Sequence, residues 1–158
     1  MSNPAAVRPR SVLLLAVFIL VVVGVGGLLG FLTAPGEWYA GLEKPPFNPP
    51  SWVFSPVWLT LYVLIAIAGW RTFERDRTGR AMWLWYAQML LNWLWSPVFF
   101  AAQLLWPAVV VIVAMLVVII AFILASWRQD RLAALLFVPY AAWVAFATLL
   151  NVSIAALN

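Results

Sequence analysis

The sequence predicts an all-α integral membrane protein, a bundle of five transmembrane helices with a long, ordered Pro/Trp-rich first loop. Three observations carry that prediction. Hydrophobic residues make up 66% of the 158 positions and charged residues only 9%, with a mean hydropathy of +1.02. A soluble domain carries about a quarter charged residues, so this chain could not cover itself with polar surface. Its charges are bunched, and the runs between them have the roughly 20-residue length that a helix needs to cross a bilayer core. The basic residues also fall almost entirely on alternate connections, the signature of oriented insertion.

The first charge-free run, residues 12–32, forms the first span. Arg8 and Arg10 before it resemble the basic start of a secretory signal. The apolar run exceeds the ~7–15 residues of a signal core, however, and no small-x-small cleavage site follows, so it reads as a retained helix. The second span covers 52–70 and leads into the polar segment 71–80 (RTFERDRTGR). No charge then appears from residue 81 to residue 127, which is too long for one helix. The break falls at 101–107 (AAQLLWP), because proline is tolerated in the first turn of a new helix. The third and fourth spans are therefore 81–102 and 106–127, and the fifth is 132–157. This length suits a single domain over 1–158.

Arg8 and Arg10, then Arg71, Arg75, Arg77 and Arg80, then Arg128 and Arg131 share one side of a five-span bundle. They are eight of the nine basic residues, and only Lys44 lies opposite. The positive-inside rule places the N-terminus in the cytoplasm and the first loop and C-terminus outside, in a bacterial inner membrane.

The same composition excludes several chemistries. There is no histidine and no cysteine, which removes Ser-His and Cys-His nucleophile pairs, disulfides, and the usual metal ligands. No Asp, Glu, Lys or Arg falls inside a span, which argues against proton relays and charged ion paths. No basic stripe interleaved with aromatics points to nucleic acid. No metal or resident cofactor is expected.

Uncharged polar residues do occur inside the spans, grouped by helical spacing. Gln88, Asn92 and Ser96 share a face of the third span, with Trp85 and Trp95 close to it. Tyr140, Trp143, Ala147 and Asn151 share a face of the fifth, and Trp58 and Tyr62 are one turn apart on the second. Each residue taken singly can be glue between transmembrane helices. Three helices that pair indoles with amides or small residues also suit a lined pocket for a small molecule. In the first span Gly26 and Gly30 have the spacing for close helix approach, within the bundle or between copies. Pro56, Pro97 and Pro139 lie within or near span starts, where a kink can be structural or can widen a cavity. The connection 33–51 holds five of the eleven prolines, which restrict its backbone. It also carries Trp38, Tyr39, Leu42 and Phe47, apolar surface that a tether would not need, so it reads as an ordered lid over one end of the bundle.

Four segments in order carry a resemblance: 38–52 (WYAGLEKPPFNPPSW), 55–62 (SPVWLTLY), 91–100 (LNWLWSPVFF) and 138–151 (VPYAAWVAFATLLN). The chain resembles the translocator protein (TspO/MBR) family, which includes bacterial tryptophan-rich sensory proteins and the mitochondrial peripheral benzodiazepine receptor. The resemblance implies a five-helix membrane bundle, often dimeric, with a pocket beneath the first loop. That pocket would take porphyrins such as protoporphyrin IX and other flat apolar ligands. By motif matching its residues would be Trp58 and Trp143, with Asn92, Trp95 and Ala147 beside them and Tyr62 and Leu150 nearby. The lid residues would be Trp38, Leu42, Lys44, Pro45 and Phe47. In some relatives the tryptophans matching Trp58 and Trp143 are linked to light-dependent porphyrin breakdown.

The resemblance does not extend to the sterol motif of animal members. That motif needs a tyrosine and then a basic residue after the segment matching Asn151, and 152–158 (VSIAALN) has neither. Arg80, Tyr86 and Leu90 fit only the weak inverted template, so sterol binding is left doubtful. Asn48 and Phe47 stand where animal members often carry histidine and tryptophan. Three functions follow as alternatives: porphyrin binding for sensing, transport or homeostasis; tryptophan-dependent photo-oxidation of porphyrin; or regulation of a partner membrane protein, with lipid in the cavity.

Overall fold

The computed structural model describes residues 9–158, which are helical throughout their ordered elements, with no β-strand among the described residues. Arg8, counted above with the basic N-terminus, lies outside them. Helix α1 is Pro9–Leu32. Proline at a first helical position forfeits no hydrogen bond, and Pro35 downstream disfavours continuation of the helix. Among its residues only Val22 and Gly26 are buried, so α1 lies at the edge of the bundle.

The connection 33–51 is more structured than a loop. It holds a five-residue helix α2, Glu37–Gly41, and leads to a 3-10 turn, Ser51–Val53. Lys44 Nζ donates to the carbonyls of Tyr39 (2.6 Å), Leu42 (3.0 Å) and Ala40 (3.3 Å), satisfying acceptors that a helix end leaves free. It also sits 4.6 Å from the centre of the Tyr39 ring. The described residues therefore hold six α-helices where five were expected. The additional one is stabilised by a tertiary cap, and five residues are too few for periodicity to signal it.

Helix α3, Phe54–Arg75, has Pro56 in its first turn, where the missing N–H opens no intrahelical bond. It runs five residues beyond the expected end at 70, into the arginine-rich segment. Hydropathy marks where the apolar slab ends, whereas arginine and glutamate are good helix formers in water. Helix α4 is Arg80–Ser96, followed by a π-helical turn, Pro97–Ala101. Pro97 lacks an N–H, and the Ala102 amide reaches back five residues to the Pro97 carbonyl at 2.9 Å, the bond of a π turn. Gln103 follows with a left-handed φ of 58°. Helices α5, Leu105–Ser126, and α6, Arg131–Leu157 with Pro139 inside it, complete the chain.

Among the described residues four helical stretches are long and apolar enough to cross a membrane: Pro9–Leu32, Ser51–Arg75, Leu105–Ser126 and Arg131–Leu157. The 17 residues of α4 span only ~25 Å at 1.5 Å per residue, and the π turn carries that run on towards residue 102. In the bundle α5 packs between α4 and α6, while α3 packs between α1 and α6. The core is built on Ile65, Met82, Ile112, Met115, Ile119, Phe122 and Phe137, with the Phe122 and Phe137 rings 4.0 Å apart. Gly69 lets the Trp85 indole lie against α3, and Trp85 Nε1 donates to the Ile65 carbonyl at 3.0 Å.

At the arginine-rich end Asp130 caps α6 by accepting from the Ala133 amide at 3.2 Å. It also takes two bonds from Arg71, Nε to Oδ2 at 3.0 Å and Nη2 to Oδ1 at 3.1 Å. Burial alone would push this carboxyl up. The bonds from Arg71 and Ala133, with the charges of Arg71 and Arg75, outweigh it and hold the carboxyl below its ordinary value.

Asp130→Ala removes a cap and one half of a largely buried pair, so it should cost about 2 kcal/mol of stability in detergent. Asp130→Asn, which can still cap, should cost less. Because the folded carboxyl titrates below its unfolded value, its stabilisation is complete above the unfolded value and is lost as pH falls through the folded one. Thermal midpoints of parent and Asp130→Ala should therefore converge in strong acid. At the other end Gln103→Gly should raise stability by about 0.5–1 kcal/mol, since only glycine adopts the left-handed region without steric cost.

Candidate functional site

A cavity of about 780 Å³ lies between α1, α3, α4 and α6 beneath the 33–51 connection. Its floor is a chain of neutral hydrogen bonds. Tyr62 Oη donates to Asn92 Oδ1 at 3.3 Å, Asn92 Nδ2 donates to Tyr140 Oη at 2.8 Å, and Tyr140 Oη donates to Gln88 Oε1 at 3.0 Å. Gln88 Nε2 ends the chain on the Trp85 carbonyl at 2.9 Å. The face of α4 that spacing identified thus divides by depth. Gln88 is wholly buried and joins helices, Asn92 both joins helices and forms the cavity floor, and Ser96 lines the wall near the lid. Glue and pocket, alternatives for the sequence, are realised one turn apart.

The walls are aromatic. Trp58, Trp93, Trp95 and Trp143 all line the cavity. Trp95 stacks on Phe99, centroids 5.5 Å apart, and its Nε1 donates to Asn151 Oδ1 at 3.1 Å. Asn151 in turn donates to the Ala147 carbonyl of its own helix at 2.8 Å, so Trp95 is held in one orientation. Trp143 packs edge-on against Phe54 at 5.8 Å, and its buried indole N–H has no partner within the fold.

All seven residues expected in the pocket (Trp58, Tyr62, Asn92, Trp95, Trp143, Ala147 and Leu150) line this cavity. The lid residues divide differently. Lys44 lines the cavity and is its one charged group among the described residues. Trp38 and Leu42 pack instead on a second apolar cluster around Phe99, Ala108 and Ile154. Pro45 is buried within the connection, and Phe47 lies half exposed against Phe146 at 6.5 Å.

Sequence reasoning placed Tyr39 in the lid and singled out Asn48 without saying that they face inward, and it missed Pro49 beside them and Gly26, Gly27 and Gly30 as a wall. Burial raises the Tyr39 phenol above its ordinary value despite a hydrogen bond from Asn48, so it stays neutral at physiological pH. The glycines were visible, but spacing does not say whether the space they leave meets a helix or a void. Here Gly26 abuts the Tyr62 ring, while Gly27 and Gly30 face open space.

Tyr140→Phe should leave Asn92 and Gln88 each short of a partner and cost about 1 kcal/mol, read as a lower thermal midpoint of the detergent-solubilised protein. Val144→Ala, one turn further along α6 and outside the network, should leave the floor intact and serve as the packing control.

The TspO/MBR family model matches residues 16–157. A tryptophan-rich sensory protein of Cereibacter sphaeroides is 38% identical over 135 residues, covering 85% of each chain. The tryptophan-rich protein TspO of Archaeoglobus fulgidus is 38% identical over 152 residues, 94% of this chain and 99% of the relative. The translocator protein of Homo sapiens is 37% identical over 120 residues, 73% and 71% of the two chains.

Proposed function

The chain belongs to the TspO/MBR family of membrane proteins, and from that premise we propose that it binds porphyrins and similar flat apolar molecules in the lidded cavity, for tetrapyrrole sensing, transport or homeostasis. The observation that carries this reading is the match between cavity and ligand chemistry. The volume falls within the ~300–1,000 Å³ of small-molecule sites. Its indole walls offer faces for a conjugated macrocycle to stack on, and the Asn92 floor adds a few fixed polar groups. Lys44 sets one positive charge at the lid, suited to the carboxylates a porphyrin carries at its edge.

The same reading takes α4 with its π turn as a fifth span. The lid and C-terminus then lie outside and the arginine-rich end in the cytoplasm of a bacterial inner membrane. Lipid, and a second copy of the chain in a homodimer, cover the exposed apolar faces.

Titration of the detergent-purified protein with protoporphyrin IX in the dark, followed by tryptophan quenching, tests the proposal. Saturable quenching is expected. Trp143→Phe, whose indole N–H has no bond to lose within the fold, should weaken it about tenfold, the effect of ~1.4 kcal/mol. Asn92→Ala should weaken it as well. Linear quenching indifferent to both substitutions would mean that porphyrin merely partitions into the micelle. It would bring forward the reading in which the protein regulates another membrane protein.

The position of both Trp58 and Trp143 on the cavity wall favours one second reading, in which indole and dioxygen take part in oxidising bound porphyrin under light. Illumination would then produce a new chromophore with the parent protein and none with Trp143→Phe.

A further inference from the structure

The cavity has two unlike boundaries, its lid and the wall between α1 and α3. At its lid the main chain before Lys44 is held by a reciprocal pair. The Glu43 amide donates to Asn158 Oδ1 at 3.0 Å, and Asn158 Nδ2 donates to the Glu43 carbonyl at 3.0 Å. Lys44 ties the next residue to the end of α2, and Trp38, Tyr39 and Leu42 pack on Phe99 and its neighbours. Lifting the lid means breaking all of these together.

The wall between α1 and α3 differs. The two helices touch along their inner halves, where Phe18 meets Phe73 and Gly26 abuts Tyr62. Towards the lid Gly27 and Gly30 line the cavity, and nothing stands within 4 Å of a Cβ at either. Phe31 on α1 and Leu59 on α3 both line the cavity, and they are 80% and 54% exposed. Two large apolar side chains that line the cavity and are this exposed mark a mouth.

We infer that this gap between the lid-side ends of α1 and α3 is a lateral portal through which apolar ligands pass between the cavity and the lid-side leaflet of the bilayer. The inference rests on the reading of the cavity as the ligand site. Both sides of the gap are regular helices, whose backbone groups are paired internally, so the mouth can face hydrocarbon without an unsatisfied N–H or C=O. Opening the portal takes side-chain rotations of Phe31 and Leu59, which occur in picoseconds to nanoseconds at exposed positions. A flat apolar solute is also already concentrated in the membrane, so the lateral route avoids a return to water.

The test uses the full chain in phosphatidylcholine vesicles, with protoporphyrin IX as the probe and stopped-flow tryptophan quenching as the readout. Gly27→Phe and Gly30→Phe add rings at two positions where a Cβ meets nothing within 4 Å. They should slow association and dissociation alike, by about tenfold, so that any change in Kd is smaller than the change in either rate. Asn158→Ala, which loosens the lid, should leave both rates unchanged, and Leu59→Ala should raise both.

Rates indifferent to the glycine and leucine substitutions but raised by Asn158→Ala would overturn the portal in favour of the lid. Weaker binding at an unchanged association rate would also overturn it, because the new rings would then be filling the cavity and not its mouth. If the glycine variants do not fold, Leu59→Ala decides alone: faster exchange supports the portal and unchanged exchange refutes it. Absence of saturable binding by the parent protein would remove the ligand reading and the portal together, whereas saturable binding with unaltered rates removes the portal only.

Discussion

Between apolar helices surrounded by hydrocarbon, burial of one more leucine gains little, because lipid tails are as apolar as the side chain they replace. What then sets the rotation and depth of each helix is the need of every polar group in the slab to find a partner. For four side chains of this bundle that need is met by a chain of neutral bonds from Tyr62 through Asn92 and Tyr140 to Gln88. It links α3, α4 and α6 at one depth and leaves the Asn92 amide with both its oxygen and its nitrogen engaged. Rotating any of the three helices by one residue would strand several of these groups.

The cavity follows from that constraint. With the floor closed by the network, the helices above it diverge, and the space is bordered by side chains that do not fill it. Trp58 and Trp143 are large but rigid, and Ala147, Gly27 and Gly30 are small. At about 24 cal/mol per Å³, a sealed, dry void of about 780 Å³ would cost on the order of 19 kcal/mol, more than the ~5–15 kcal/mol that holds a whole domain together. A space this large is therefore not a sealed, dry void. The lid and the wall between α1 and α3 bound it.

Much of this arrangement was legible in the sequence, and the residues where it was not are instructive. Charge-free runs located the long helices, because hydropathy over roughly 20 residues averages out local exceptions. Spacing grouped Gln88 with Asn92 and Ser96, Trp58 with Tyr62, and Trp143 with Ala147, and motif resemblance added Leu150. Spacing could not separate Gln88, sealed among helices, from Asn92, which meets the cavity one turn away; a helical face has direction but no depth. Trp85 shares the neighbourhood of that face, yet it turns to α3, because Gly69 leaves room for an indole there. Nor could composition divide the lid. Trp38 and Leu42 look like pocket residues but serve the second core, while Asn48 and Pro49 look like turn residues and face the cavity.

By itself the sequence determined the class, the places where apolar helices begin, the family, and the polar residues that must be paired inside. All of these depend on local composition, short-range spacing or ordered motifs, and each survives without knowledge of neighbours. The tertiary structure alone decided the helix in the lid, the run of α3 into its arginines, the pairing of Asp130 with Arg71 across 59 positions, and the latch between Glu43 and Asn158 across 115. It also decided which glycines meet a ring and which meet a void. Those outcomes turn on what stands opposite a residue in space, and the bundle brings together partners that no window along the chain contains.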